Sequence, residues 1–199
     1  HARGAKFPLV LMLQLVRLQR FYLEKHNILH LDPSLTSLFI TRTMQIQLGY
    51  LGKAWITNED KLKEIKYPNS YEGYAKEFSL PSEYTLVAPE GFRKDSHEST
   101  EKTAVFHIAN HLQILFFHRK RGYKKDMKEE EILEEKQKDA FSLKYLPVDV
   151  LEYAPAVISK VLNKFLKLCL LTDQAERPTL YDLELVISSC LQVFDALYI

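Results

Sequence analysis

His30 and Asp32 lie one residue apart, with Leu31 between them, directly after a long apolar run. An aspartate on a loop can take a proton from a substrate, or it can simply cap or face water. His107 and His111 are four residues apart on a predicted helix and could share a face, as zinc-binding pairs do. Neither adjoins a glutamate in a His-Glu-x-x-His pattern, and no third ligand is placed nearby, so ordinary surface or partly buried histidines are expected. Ser96, Ser99 and Thr100 offer hydroxyls near His97, but no Gly-x-Ser-x-Gly elbow accompanies them, and a hydrolase is not expected. Cys169 and Cys190 fall inside apolar helical patterns without Cys-x-x-Cys spacing. They read as small core residues in a reducing compartment, not as a disulfide framework or a zinc knuckle.

The elements that must position these groups follow from hydrophobic pattern. Leu9, Leu11, Leu13, Leu15, Val16, Leu18, Phe21, Tyr22 and Leu23 cover most faces of a helix over about 8–25, which predicts a buried helix. Ile28 to Asp32 and then Pro33 lead into a loop. Ser37 to Ile40 and Gln45 to Leu48 are β-like runs around Thr41-Arg42-Thr43, a small hairpin. Residues 52–100 show little sustained period and hold Pro68, Asn69, Gly73, Pro81, Pro89 and Gly91, a long irregular region of the kind that often carries function. Helical patterning returns over about 102–117, 155–171 and 179–197. Thr179 is the expected N-cap of the last helix, with Asp182 and Glu184 in or near its first turn. The fold class is mainly α with one small two-stranded β element.

Bulk properties exclude several functions. A chain of 199 residues with 46% apolar and 27% charged residues builds one compact domain or a little more. A formal net charge of +1 offers no field to draw nucleic acid or an anionic membrane. The stretch Leu9 to Val16 is broken by Gln14, followed by Arg17 and Arg20, and is too short to span a membrane. It lacks a small-residue cleavage site, so a signal peptide is not expected. The expectations are an intracellular, cytoplasmic protein with no nucleic-acid and no membrane partner. His1-Ala2-Arg3-Gly4 reads as the middle of a longer chain.

Five motifs then occur in one order. Asn27-Ile28-Leu29-His30-Leu31-Asp32 follows a helix ending in Tyr22-Leu23. Gln45-Ile46-Gln47-Leu48-Gly49-Tyr50-Leu51-Gly52 comes next, then Val87-Ala88-Pro89-Glu90, then Lys102-Thr103-Ala104-Val105-Phe106-His107-Ile108-Ala109, and last Glu176-Arg177-Pro178-Thr179. This series resembles the C-terminal lobe of a protein kinase. The motifs are similar, in turn, to helix E with the His-Arg-Asp catalytic loop, the strand into Asp-Phe-Gly, the Ala-Pro-Glu that closes the activation segment, helix F, and the Arg-Pro before the last helix. The resemblance covers nearly the whole chain. It divides it into 8–25 (helix E-like), 26–52 (catalytic-loop and Asp-Phe-Gly-like), 53–90 (activation-segment-like), 102–117 (helix F-like), 118–145 (a charged insertion) and 155–197 (terminal helices). It also implies that Glu90 pairs with Arg177 and ties the activation segment to the helical base, and that His30 packs structurally.

The same resemblance shows what chemistry is missing. Phosphoryl transfer is mostly positioning and charge neutralisation by a Gly-rich loop, a strand lysine with its helix glutamate, a catalytic Asp and metal-binding Asn and Asp. No Gly-x-Gly-x-x-Gly occurs, and nothing before His30 supplies the N-lobe parts. Asp32 keeps the catalytic-base position, but the neighbouring lysine falls on Ser34, the metal-binding Asn on Ser37 and the metal-binding Asp on Tyr50, with Gly52 ending that motif. A phenol and a hydroxyl make a poor magnesium site. The Arg of His-Arg-Asp is Leu31, and the helix F aspartate falls on Ala104. The relic positions Asp32, Ser34, Ser37 and Tyr50 are thus not expected to catalyse, and His30, Gly52, Ala88, Pro89, Glu90 and Arg177 are read as structural.

The resemblance therefore implies a catalytically inactive pseudokinase that acts as a protein-interaction scaffold or an allosteric or structural subunit, with no cofactor and no metal. Protein partners are expected through 53–84, which holds Trp55, Tyr67, Tyr71, Tyr74, Phe78 and Tyr84, and through 118–145. The latter runs from basic (Arg119, Lys120, Arg121, Lys124, Lys125) to acidic (Glu129, Glu130, Glu131, Glu134, Glu135), a pattern that also suits a solvated face with local ion pairs. The other readings are a divergent active kinase whose N-lobe lies outside this chain, using Asp32 with Glu59 or Asp60, and a purely architectural subunit of a larger assembly.

Overall fold

The computed structural model describes residues 2–31, 38–49, 54–56, 88–92, 100–117 and 156–197. Among them are four helices, α1 (Ala2–His26), α2 (Glu101–Phe117), α3 (Ala156–Cys169) and α4 (Leu180–Leu197). Four three-residue strands are β1 (Ile28–His30), β2 (Leu38–Ile40), β3 (Ile46–Leu48) and β4 (Ala54–Ile56). Short 3₁₀ turns occupy Pro89–Phe92 and Gln174–Glu176. The described part is mainly helical, as the periodicity predicts.

Helix α2 is the centre of the packing. Every residue from Thr103 to Leu112 is buried, so the helix is enclosed on all sides. α1, α3, α4 and β1 all pack on it, and α1 also lies along α4. α4 buries Leu180, Leu183, Ile187, Cys190 and Phe194, and α3 buries Ile158, Leu162, Leu166 and Cys169. Spacings of three and four put each set on one stripe, which buries against α2 and the neighbouring helix.

α1 differs from expectation in two ways. It starts at Ala2 and carries Pro8 in its interior. A proline there gives up one backbone hydrogen bond, and the buried Leu9, Leu11, Met12, Leu15 and Val16 beyond it hold the helix in place. Nor is α1 buried on every side. Phe7 and Phe21 are exposed, as is Arg17, because α4 and α2 cover only part of the circumference. The helix ends at Asn27, whose φ of 52° is the left-handed conformation that asparagine tolerates, and whose N–H reaches the Leu23 carbonyl at 3.1 Å.

The expected hairpin is β2–β3, paired Leu38↔Leu48, Phe39↔Gln47 and Ile40↔Ile46. Its turn is closed by Thr41, whose carbonyl accepts from Met44 N–H at 3.0 Å and whose hydroxyl accepts from Gln45 N–H at 3.0 Å. Met44 has φ 62°, an unfavourable conformation for an unbranched L side chain. Gln14 of α1 secures that spot: its Nε2 donates to the Met44 carbonyl (3.1 Å) and its Oε1 accepts from Ile46 N–H (2.9 Å). Gly49 follows β3 where an added Cβ would run into the Phe39 ring.

A second two-stranded sheet was not expected. β1 and β4 pair antiparallel, Ile28↔Ile56, Leu29↔Trp55 and His30↔Ala54. The chain therefore leaves His30 and returns at Ala54 at the same end of one ladder. This corrects the expectation of a single β element.

α4 opens on a reciprocal cap. Asp182 Oδ2 accepts from Thr179 N–H (2.8 Å) and from its hydroxyl (2.6 Å), while Asp182 N–H donates to Thr179 Oγ1 (3.1 Å). The Thr179 hydroxyl and N–H hold the Asp182 carboxyl below its usual value, against a smaller opposing effect of burial. A carboxylate lowered in the folded state adds stability above its unfolded value near 3.9, and loses it as pH falls through the lower folded value. Thr179→Ala is expected to cost about 1 kcal/mol at pH 7, and less at an acid pH below the lowered folded value, where Asp182 is protonated in both states. Urea unfolding of both proteins at the two pH values checks this.

Candidate functional site: a buried carboxylate–guanidinium clasp

The chain is stiffened on both sides of Arg177. Asp173 caps the Gln174–Glu176 turn by accepting Ala175 N–H at 2.9 Å, and Arg177 N–H closes the turn on the Gln174 carbonyl at 3.2 Å. Arg177 is itself extended, φ −73° and ψ 149°, the conformation that a following proline favours. Pro178 then leads into the capped start of α4. The arginine projects from this brace into the protein.

Its guanidinium meets Glu90, which the Pro89–Phe92 turn presents from the other side. Arg177 Nη1 reaches Glu90 Oε1 at 2.8 Å and Nη2 reaches Oε2 at 2.7 Å. The side chains are 0% and 4% exposed. Nε donates to the Leu171 carbonyl (2.8 Å), Nη1 also to that of Lys102 (3.2 Å) and Nη2 also to that of Thr172 (3.3 Å). All five donors of a guanidinium are thus used. Thr103 completes the carboxylate, its hydroxyl donating to Glu90 Oε1 at 2.6 Å. The Phe106 ring lies against the guanidinium, 4.8 Å from the ring centroid to Cζ, and adds a cation–π contact.

The start of α2 is stitched to the same place. Lys102 Nζ donates to the Arg177 carbonyl, Thr100 Oγ1 to Gln174 Oε1 at 3.2 Å, and Leu180 N–H to Glu101 Oε2 at 3.3 Å. Ala88 N–H, two residues before Glu90, donates to His107 Nε2 at 3.3 Å. The 88–92 segment is therefore held by Thr103 and His107, one helical turn apart on α2, and by Arg177.

The other residues singled out in the sequence divide as follows. His30 is buried, and its carbonyl accepts from Gln19 Nε2 of α1 at 3.1 Å, which fixes the end of β1. Ala88, Pro89, Glu90 and Arg177 are brought together. Asp32, Ser34, Ser37, Tyr50 and Gly52 lie outside the described residues, as do 118–145 and all of 53–84 apart from β4. Ser96, His97 and Ser99 lie outside them too, while Thr100 serves the junction above. Leu31 and Ala104, which the resemblance sets against an arginine and an aspartate, are both buried in the apolar core. His107 and His111 are buried on α2, and no group of three metal-ligating side chains occurs among the described residues. Burial pushes the Cys190 thiol up to about 11 and the Cys169 thiol upward as well, so both stay protonated near neutrality.

Sequence reasoning missed Thr103, His107, Gln14 and Gln19. The signal for the first two was their spacing, since residues 103 and 107 share a helix face. The pair His107 and His111 has the same spacing and drew attention to metal chemistry instead.

A polar seam joins α1 to α4 away from this site. Glu184 accepts from Arg17 Nε at 2.8 Å and from Arg20 Nη1 at 2.6 Å, and Lys6 pairs with Asp195. Burial alone would raise the Glu184 carboxyl, but the two arginines outweigh it and hold it below its usual value. Among the described residues no helix is long and apolar enough to cross a membrane.

The chain matches no model of a known protein family, and no curated protein matches it in sequence.

Proposed function

We propose that this chain is the C-lobe of a degenerate protein-kinase fold, without phosphotransferase activity, which works as an interaction scaffold or a structural or allosteric subunit. The observation that carries the reading is the bidentate Glu90–Arg177 clasp, 87 residues apart in sequence and buried. The resemblance requires this contact of an Ala-Pro-Glu glutamate and an Arg-Pro arginine, and neither local patterning nor composition demands it. The β1–β4 ladder gives separate support, because it joins the ends of the two stretches that hold the His-Leu-Asp and Tyr-Leu-Gly relics.

The inactive half of the reading rests on residue chemistry. Ser37 and Tyr50 replace the two metal ligands of the family. Leu31 and Ala104 add that the flanking charged positions have joined the apolar core. Phe39, Ile40 and Met44 leave apolar surface on the β2–β3 hairpin, which favours a place in a larger assembly. Partner contacts belong, on this reading, to 53–84 and 118–145.

A thermal-shift titration with ATP, with and without magnesium, tests it on the longest native form of the protein. Ligand at about 100 times its dissociation constant adds roughly 2.7 kcal/mol, which raises the melting point of a chain this size by about 5–10 °C. The expected result is no magnesium-dependent shift. A shift that requires magnesium would mean a working metal site and would overturn the inactive reading.

A further inference from the structure

We infer that His107 is a pH-sensitive latch on the Ala88–Phe92 segment, in which the neutral imidazole holds the Ala88 amide and the protonated imidazole releases it. The geometry requires a neutral ring. Ala88 N–H is the donor and His107 Nε2 the acceptor, at 3.3 Å. That nitrogen carries no proton, so the ring proton sits on Nδ1. An imidazolium has donors only, and its Nε2–H would face the Ala88 N–H. Ala88 and His107 are both buried, so water does not take over the lost bond.

The buried charges of the described residues around α2 are matched. Among the described residues, the buried ionisable groups on the elements packed around α2 are His30 of β1, Glu90 of the 3₁₀ turn, Cys169 of α3, Cys190 of α4 and Arg177 before α4, with His111 on α2 itself. Glu90 and Arg177 neutralise each other at 2.7 Å. The thiols remain neutral. Lys6, Arg17 and Arg20 of α1 are engaged with acids of α4, and Lys102 Nζ with the Arg177 carbonyl.

The sign follows from linkage. A histidine bonded in its neutral form binds fewer protons in the folded state than in the unfolded chain. Its contribution is therefore present above the ordinary imidazole value near 6.5 and is lost as pH falls below it. Loss is local, because the Glu90 clasp holds the same segment two residues further on. What is released is the Ala88 end of the 88–92 segment. This inference rests on the hydrogen bond alone and stands whether or not the proposed function does.

Nuclear magnetic resonance on the whole chain tests it. Imidazole nitrogen shifts of His107 near pH 8 should show the Nδ1–H tautomer. On lowering the pH to about 5, protection of the Ala88 amide against hydrogen exchange should fall about tenfold more than that of core amides such as Leu112. In His107→Gln, whose side-chain carbonyl can accept the Ala88 N–H without titrating, that selective loss should disappear. An Nε2–H tautomer near pH 8, a uniform loss across core amides, or the same selective loss in His107→Gln would each overturn the latch. The first two readouts need only the wild-type protein and decide the matter if the variant does not fold.

Discussion

Arg177→Ala lowers the unfolding free energy by about 3–5 kcal/mol, read as a fall in the urea midpoint at unchanged slope. The size follows from what remains behind. Glu90 is buried, and the substitution removes the bidentate partner of both its oxygens while leaving only the Thr103 hydroxyl. The carbonyls of Leu171, Thr172 and Lys102 lose a donor at the same time. Arg177→Lys does not repair this, since one ammonium cannot span two carboxylate oxygens and three carbonyls in fixed directions. Removing both charges together, as Glu90→Ala with Arg177→Ala, should destabilise by less than the sum of the single changes, because no charge is then stranded. An unchanged midpoint in Arg177→Ala would remove the clasp as the anchor of the 88–92 segment, and with it the main support for the kinase-like reading.

Leu31→Arg is expected to destabilise by more than about 3 kcal/mol, again by urea unfolding, while Leu31→Met stays within about 1.5 kcal/mol. Leu31 is 0% exposed and packs in the same core as Leu29 and Ala104. A guanidinium there would have to leave water for an apolar core. The comparison matters for function. On the proposed reading this position answers to a kinase charge that meets the activation segment, whereas Leu31 is apolar and buried. A well-tolerated arginine would show that the position opens to solvent or to a hidden acid, and would weaken the case that its regulatory chemistry has been given up.

The helices α3 and α4 were legible because each repeats its apolar residues at spacings of three and four, α2 because its apolar residues run on over several turns, and the cap of α4 because Thr179 and Asp182 stand three apart. The β2–β3 hairpin was legible from two short β-like runs around Thr41-Arg42-Thr43. The β1–β4 ladder was not. Its strands are three residues each and far apart in sequence, so pairing is decided by what α1 and α2 hold in place, which leaves no local trace. The extent of α1 was missed because proline normally marks a boundary, and only tertiary packing overrules it.

Glu90 and Arg177 could be named in advance only through the resemblance, since two charges 87 residues apart have no periodic relation. Their surroundings were less legible still. Arg177 is satisfied mainly by backbone carbonyls, which every residue type possesses, so the sequence carries no sign of which ones converge. By itself the sequence determined the helical elements and the cap of α4, because these depend on residue type and short spacing. Tertiary structure alone decided that Leu31 and Ala104 are core, that Thr103 and His107 reach the 88–92 segment, and that Glu90 meets Arg177 away from water. Those outcomes depend on which faces the helices turn towards one another, and desolvation by distant neighbours sets that choice.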